Sequence, residues 1–175
     1  KATASHRAPF PATVWGHGTG LFSAEILVRA GYFAKQGIAI MGIDLPGHGL
    51  VLDAGTTKLA EILFRPTCML PFVSALSKGR ARDLNGDGIP DSGGHLWTGH
   101  AFHSRDNIRQ SIVDEMQTTR ILRSWDSFTR SEQDYNNDGN VDLAGDFNGD
   151  GVPDVGGPSV PLFTSGNSFG GITAM

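Results

Sequence analysis

Nine aspartates fall in three short segments whose oxygen-bearing side chains recur at one spacing. The segments span 83–91, 134–142 and 146–154 and align without gaps. In each segment, aspartate or asparagine stands at positions 1, 3, 5 and 9, and glycine stands at position 6. Ca²⁺ takes about six to eight oxygen ligands, and alternate residues of a tight loop point inward. The spacing therefore predicts calcium loops, in which the carbonyl of position 7 adds a further ligand.

The three segments predict equivalent sets of ligands. In chain order these are Asp83, Asn85, Asp87, Ile89, Asp91, Asp134, Asn136, Asp138, Asn140, Asp142, Asp146, Asn148, Asp150, Val152 and Asp154. Glycine replaces the bidentate glutamate that an EF-hand has at position 12. The second and third segments follow each other at a twelve-residue period, which resembles thrombospondin type 3 and dockerin-like repeats. That resemblance implies a structural Ca²⁺ of weak affinity, about 10⁻⁴–10⁻³ M; solvated Asn/Asp/Gly turns are the alternative.

A second group of residues fits nucleophilic chemistry. The run Gly166-Asn167-Ser168-Phe169-Gly170 matches G-x-S-x-G, in which a strained strand-to-helix turn exposes a serine hydroxyl. A glycine-rich turn, Gly16-His17-Gly18-Thr19-Gly20, follows an earlier strand. It lacks the last glycine of a dinucleotide fingerprint and the lysine of a P-loop. A catalytic turn and a simple connecting turn stay open for it.

The elements that must position these residues form a βαβ pattern. We predict a strand at 12–15, a helix at 21–36 and a strand at 38–45 that is buried on both faces. Further helices are predicted at 57–64 and from an N-cap at Ser104 to about Trp125, with Ile108, Ile112, Met116, Thr119 and Leu122 on its apolar face. Residues 158–164 predict another strand, and 68–77 stay ambiguous. The fold class is α/β with a mostly parallel sheet.

The chain resembles the N-terminal half of a bacterial, secreted α/β-hydrolase of the esterase/lipase type. The resemblance lies in 17–20, in 44–49 (Asp-Leu-Pro-Gly-His-Gly), in 105–110 and in the Ser168 turn. It implies a partial α/β-hydrolase fold over 1–175, with calcium loops inserted at 83–94 and 134–157. It also implies that Ser168 attacks a small-molecule or lipid ester while the amides of Thr19 and Phe169 hold the oxyanion.

The family's catalytic triad runs in the order serine, acid, histidine. The seven residues after Ser168 contain neither an acid nor a histidine. His17 and His48 belong to the two loops already described, so we expect the acid and the base beyond Met175. We then expect the 175 residues alone to be marginally stable and nearly inactive. The alternative function is a calcium-dependent structural or adhesive module on an inactive scaffold.

Composition narrows the function classes. The net charge is −4, and the nine clustered aspartates conceal an excess of basic residues elsewhere in the chain. No basic patch with interleaved aromatics indicates nucleic-acid binding, and no apolar run has the length of a transmembrane helix. One cysteine, Cys68, excludes an internal disulfide. Calcium loops of weak affinity favour a secreted, periplasmic or cell-surface location; protein partners stay open.

Overall fold

A computed structural model describes residues 5–67, 69–77, 79–94, 96–132, 134 and 139–174. Cys68 and two of the predicted calcium ligands, Asn136 and Asp138, lie outside these residues. The described part contains a parallel sheet of three strands with the order β2-β1-β3. The strands are β1 (Ala12–Gly16), β2 (Ala39–Gly42) and β3 (Leu162–Gly166). This confirms an α/β fold with a parallel sheet and flanking helices.

Five helices accompany the sheet in the described part of the chain. They are α1 (Leu27–Lys35), α2 (Ala54–Phe64), α3 (Leu70–Leu76), α4 (Ala101–Ser124) and α5 (Phe169–Thr173). A 3₁₀ turn at Ser23–Ile26 precedes α1, so the predicted helix 21–36 is shorter and irregular at its start. The ambiguous segment 68–77 contains α3. Among the described residues, no helix combines the length and the apolar character that crossing a bilayer requires.

Helices cover both faces of β1. On one face Leu122 of α4 packs against Ala12 and Val14 in a buried cluster. On the other face the ring of Trp15 meets the edge of Phe33 of α1 at a centroid distance of 6.0 Å. Alternation of side chains along the strand sends successive residues to opposite faces. β1 is therefore the buried central strand, and all five of its residues are buried.

Two predictions about the sheet are wrong in detail. β2 is shorter than 38–45, and its residues are partly exposed rather than buried on both faces. It pairs with β1 alone among the described strands, so it forms one edge of this sheet. β3 begins four residues later than the predicted 158–164, because Pro158 and Ser159 lie in a turn.

The start and the buried face of α4 also differ from the prediction. The N-cap is His100, not Ser104: His100 is extended, and its Nδ1 accepts the His103 amide at 3.3 Å. Met116 of the predicted apolar face is 53% exposed. The buried residues are Ser111, Glu115, Thr118 and Leu122. Hydroxyls tolerate this burial because they donate to carbonyls one turn back, as Ser111 does to Asn107.

Candidate active site

Parallel pairing of β1 with β3 brings the two glycine-rich turns together. The pairing continues to Gly16 and Gly166, so both strands end at the same level of the sheet. The turn after β1 therefore runs beside the turn after β3. A Cβ added to Gly18 would stand 3.7 Å from the Cβ of Ser168. Two motifs separated by about 150 residues in the sequence thus form one site.

Glycines allow the backbones at this site to touch. A Cβ on Gly170 would overlap the carbonyl of Gly16 and stand 2.6 Å from its Cα. A Cβ on Gly166 would overlap the carbonyl of Gly170 and stand 2.8 Å from the Gly16 oxygen. The three glycines are therefore required for contact between β1, β3 and the start of α5. This is the physical reason for the small residues on both sides of the serine.

Ser168 occupies a backbone conformation that side chains rarely adopt. Its φ is 51° and its ψ is −112°, and in the described residues it has the one positive φ outside glycine. Such a conformation costs about 1–3 kcal/mol and persists only where the surroundings enforce it. The residue is exposed and stands immediately before α5. The sequence motif predicted this strained strand-to-helix turn, and the structure has it.

Backbone hydrogen bonds fasten the two turns to each other. The Asn167 amide donates to the Gly16 carbonyl at 3.0 Å, and the Gly170 amide donates to the His17 carbonyl at 3.1 Å. These bonds lie on either side of Ser168 in the sequence. Because all four partners are main-chain groups, the arrangement depends on the path of the backbone rather than on rotamers.

The amide of Thr19 belongs to a peptide group that is fixed through its carbonyl. That carbonyl, on Gly18, accepts the Leu21 amide at 3.0 Å and the Nδ1–H of His17 at 2.9 Å. A trans peptide is planar and directs its N–H opposite to its C=O, so both bonds also set the direction of the Thr19 N–H. Thr19 itself is exposed.

The amide of Phe169 is fixed in the same way. The Ser168 carbonyl, in the same peptide group, accepts the Gly171 amide at 3.0 Å. Within the described part of the chain, neither the Thr19 nor the Phe169 N–H donates to a protein acceptor. The first amides of a helix have no partner inside the helix, which leaves them for an anionic oxygen. The site therefore presents an exposed hydroxyl and two oriented donors.

His17 and His48 support this site from beneath. Nε2 of His17 accepts the Leu45 amide at 3.0 Å, which makes its Nδ1 the donor to Gly18. Burial lowers the pKa of His17 from its ordinary value, so the ring is neutral near pH 7. The His48 ring lies 4.9 Å from it and bonds the Pro46 carbonyl through Nδ1. Since both ring nitrogens of His17 are occupied, it joins two loops and is not a general base.

Sequence reasoning missed two carboxylates at the site. Glu25 accepts the Gly18 amide at 2.9 Å and the side-chain amide of Asn167 at 3.0 Å. Glu115 of α4 accepts the Thr173 hydroxyl at 2.6 Å, while its other oxygen has no partner among the described residues. Burial raises the pKa of Glu115, and the bond from Thr173 opposes that rise. Glu25 has no local sequence signal, whereas Glu115 lies seven residues before Leu122 of the predicted apolar face, a spacing that places both on one side of the helix.

The first aspartate segment meets the site through the glycines that follow it. Gly93 donates to the Gly47 carbonyl at 2.9 Å, and a Cβ on Gly93 would stand 2.7 Å from the Gly20 nitrogen. Leu96, just beyond, packs in a buried cluster with Leu45 and Phe169. The residues after this segment therefore pack against the two glycine-rich turns.

The third segment lies at the other end of β1. Phe10 donates to the Asp154 carbonyl at 2.7 Å, and its own carbonyl accepts the Gly156 amide at 3.3 Å. Gly157 donates to the Leu122 carbonyl at 2.8 Å, at the end of α4. These contacts precede β1, whereas the candidate site follows it. The two segments therefore hold opposite ends of the central strand.

The first and third segments share a hydrogen-bond pattern. In each, the carboxylate of position 1 (Asp83 or Asp146) accepts the amides of positions 4 and 6, and the carboxylate of position 9 (Asp91 or Asp154) accepts the amide of position 2. The bonds from Gly88 and Gly86 lower the pKa of Asp83. The predicted glycine at position 6 has a positive φ in all three segments.

The predicted calcium ligands are described for the first and third segments and for part of the second. Among the described residues, no three acidic, histidine or cysteine side chains are gathered into a metal-binding group. Each carboxylate of position 1 in the first and third segments instead faces the amides of its own loop.

Comparisons of the chain with models of protein families, with curated proteins and with solved structures gave no match.

Proposed function

We propose that the chain carries the nucleophile and the oxyanion hole of a serine hydrolase that cleaves small-molecule or lipid carboxylic esters. The observation that supports this most directly is the backbone of Ser168, held at φ 51° with its side chain exposed. A strained serine between a strand and a helix, beside a second turn with an oriented amide, matches the requirements of acyl transfer.

The proposed reaction has two steps. In the first, the Ser168 hydroxyl oxygen attacks the ester carbonyl carbon, its proton passes to a general base, and the carbonyl electrons move onto oxygen. The amides of Thr19 and Phe169 bind that oxyanion, and each such donor is worth roughly 10²–10³-fold in kcat. The alcohol then leaves with the proton, and water releases the acyl group in the second step.

The general base is a histidine later in the chain in the family that the sequence resembles. Within the described residues His17 cannot take this role, because both of its ring nitrogens already have partners. His48 is fully buried and directs Nδ1 to the Pro46 carbonyl. The proposal therefore assigns to this chain the nucleophile and the oxyanion donors, and assigns proton transfer to a base other than His17 and His48.

Labelling of the full-length natural protein with a fluorophosphonate probe tests the proposal. The probe phosphonylates an activated serine, and we expect one adduct per chain, located on Ser168 by peptide mass spectrometry. Ser168→Ala abolishes the adduct and the hydrolysis of p-nitrophenyl esters. Ser159→Ala is the matched control, because Ser159 is an exposed serine in an ordinary turn; it keeps both signals. Absence of an adduct on the folded wild-type protein would refute the proposal.

We further propose that the three aspartate segments hold structural Ca²⁺. The donors at positions 1, 3, 5, 7 and 9 are all oxygens, which suits a hard cation, and two described segments share the same loop conformation. Bound Ca²⁺ would neutralise repulsion among the carboxylates that each segment places within nine residues. The weak affinity expected for these loops suits calcium levels outside the cytoplasm, so we propose a secreted, periplasmic or cell-surface protein.

Calorimetry and thermal unfolding test the calcium proposal. At a calcium concentration tenfold above Kd, each site adds about 1.4 kcal/mol to the free energy of unfolding, and magnesium adds less. Asp87→Ala removes the position-5 ligand of the first segment and lowers the number of bound ions by one. Asp106→Ala, an exposed acid of α4, is the control and binds the wild-type number. Absence of both heat and a Tm rise at millimolar calcium contradicts the proposal.

A further inference from the structure

Glu25 joins the two turns of the candidate site through one buried carboxylate. It lies in the 3₁₀ turn before α1, and its side chain is 7% exposed although it is an acid. One oxygen accepts the Gly18 amide at 2.9 Å, and the other accepts Nδ2 of Asn167 at 3.0 Å. Arg29 approaches at 4.0 Å from one helical turn away. The carboxylate therefore bridges the residue before Thr19 and the residue before Ser168.

The bridge fixes a part of the turn that the bonds from Leu21 and His17 do not reach. Those two bonds fix the peptide group between Gly18 and Thr19. The preceding peptide group is held at both ends: its Gly18 N–H donates to Glu25, and its His17 carbonyl accepts the Gly170 amide. Gly18 has no side chain to limit its rotation, so both peptide groups around it must be bound to hold the Thr19 N–H in one direction.

We propose that Glu25 is a positioning residue that sets the distance and direction of the Thr19 amide relative to Ser168. This inference rests on the proposed function. The carboxylate is not suited to stabilise an oxyanion directly, because its charge has the same sign. A positioning role and an electrostatic role therefore predict opposite results on neutralisation: Glu25→Gln slows the reaction if Glu25 positions the turn, and speeds it if charge alone matters.

A reciprocal exchange of side chains tests the bridge. In Glu25→Gln, the new NH₂ group faces a donor, either the Gly18 amide or Nδ2 of Asn167, so one of the two bonds is lost. In Asn167→Asp, two carboxylates face each other and the second bond is lost. In the double variant, the introduced glutamine donates to the introduced aspartate and accepts from the Gly18 amide, which restores both bonds with exchanged polarity. Glu61→Gln, an exposed acid of α2, is the control for the same chemical change.

For each variant of the full-length natural protein we would measure kcat and KM for hydrolysis of an ester, the rate of Ser168 labelling, and Tm. We expect each single variant to lower kcat about 10- to 100-fold at unchanged KM, since a displacement near 1 Å costs about 100-fold. The double variant recovers kcat to within a few-fold of the wild type, and Glu61→Gln equals the wild type.

Two outcomes overturn the inference alone, and a third overturns the proposed function together with it. If the wild type is labelled at Ser168 and the Glu25→Gln variant keeps or gains kcat, the positioning role is wrong and the hydrolase proposal stands. If Tm recovers in the double variant while kcat stays low, the bridge is structural only. If the folded wild type is neither labelled nor active, both proposals fall together. Should Glu25→Gln not fold, the double variant alone decides, because it is expected to fold and to react.

Discussion

Two adjacent glycines of α5 should respond in opposite ways to the same substitution. In Gly170→Ala the new Cβ overlaps the Gly16 carbonyl and stands 2.6 Å from the Gly16 Cα, where about 3.5–4.0 Å is normal. β1 and α5 must separate by about 1 Å, and no flexible side chain can absorb this shift, because the atoms it meets are backbone. The cost lies at the upper end of overpacking, about 3 kcal/mol. In Gly171→Ala the nearest atom, the Gly166 oxygen, is 3.5 Å away.

Gly171→Ala should therefore stabilise the protein by about 0.5–1 kcal/mol, because alanine loses less backbone entropy in a helix. The difference between the two variants is about 4 kcal/mol. For an m-value near 2 kcal/mol/M, this separates the urea midpoints by about 2 M. Gly170→Ala should also slow Ser168 labelling about 100-fold, because the Phe169 amide moves with α5. Equal midpoints for Gly170→Ala and Gly171→Ala would refute the close-contact reasoning.

Three further predictions concern residues around the site. Burial lowers the pKa of His17 below 6.5, so its contribution to stability is present above that pH and is lost as the pH falls. The free energy of unfolding of the wild type should therefore drop by up to about 1.4 kcal/mol per pH unit below 6.5. In urea titrations, His17→Gln should flatten that slope. The pH dependence that Glu115 contributes has the opposite sign, because its raised pKa stabilises the fold at acid pH and this stabilisation is lost as the pH rises. In urea titrations, Glu115→Gln should therefore be more stable than the wild type at pH 7, on the order of 1 kcal/mol, and equal to it below about pH 4. Gly93 and Gly86 have nearly the same positive φ, 79° and 80°, so alanine is equally strained at both, but only the Cβ at 93 would also clash with the Gly20 nitrogen. Gly93→Ala should therefore lower the free energy of unfolding by about 1–3 kcal/mol more than Gly86→Ala. Gly93→Ala should also slow Ser168 labelling, whereas Gly86→Ala should be labelled at the wild-type rate.

The βαβ order could be predicted because it depends on local patterns. Runs of apolar residues end at glycine-rich turns, and these features lie within a few residues of each other. The burial of β2 could not be predicted in this way. An apolar strand such as Ala39–Gly42 becomes half-buried when it stands at the edge of a sheet, and its place in the sheet depends on β1 and β3, which are distant in the sequence.

The start of α4 could not be predicted from the sequence for a different reason. Ser104 followed by Asp106 fits the usual cap pattern, but the helix begins four residues earlier, where a ring nitrogen of His100 accepts the His103 amide. Residues between these positions can continue a helix, so either start satisfies local preferences. The earlier start also has the Thr98 hydroxyl, which accepts the His100 amide at 3.3 Å, and the periodicity of the helix does not reveal such a cap.

The candidate site also has one part that local sequence predicts and one part that it does not. The Ser168 turn has a sequence signature because the strained serine and the glycines around it are neighbours in the chain. Glu25 has no such signature, because its two partners are 7 and 142 residues away. Only the register that pairs Gly16 with Gly166 brings Asn167 within reach of that carboxylate. Local motifs thus point to the proposed nucleophile, whereas tertiary contacts point to the residue that we propose positions the turn beside it.

The first and third aspartate segments act on the central strand from opposite ends. The tail of the first contacts Gly20 and shares a buried cluster with Phe169, so its conformation reaches both turns to which we assign the oxyanion donors. The third segment is bonded to Phe10, which lies six residues before Gly16 and therefore about 20 Å from that end of the strand. Loss of order in the first segment therefore alters the site directly, whereas loss of order in the third frees the start of β1 and lowers stability. Of these two segments, only the first is placed to couple its own conformation to the reaction that we propose at Ser168.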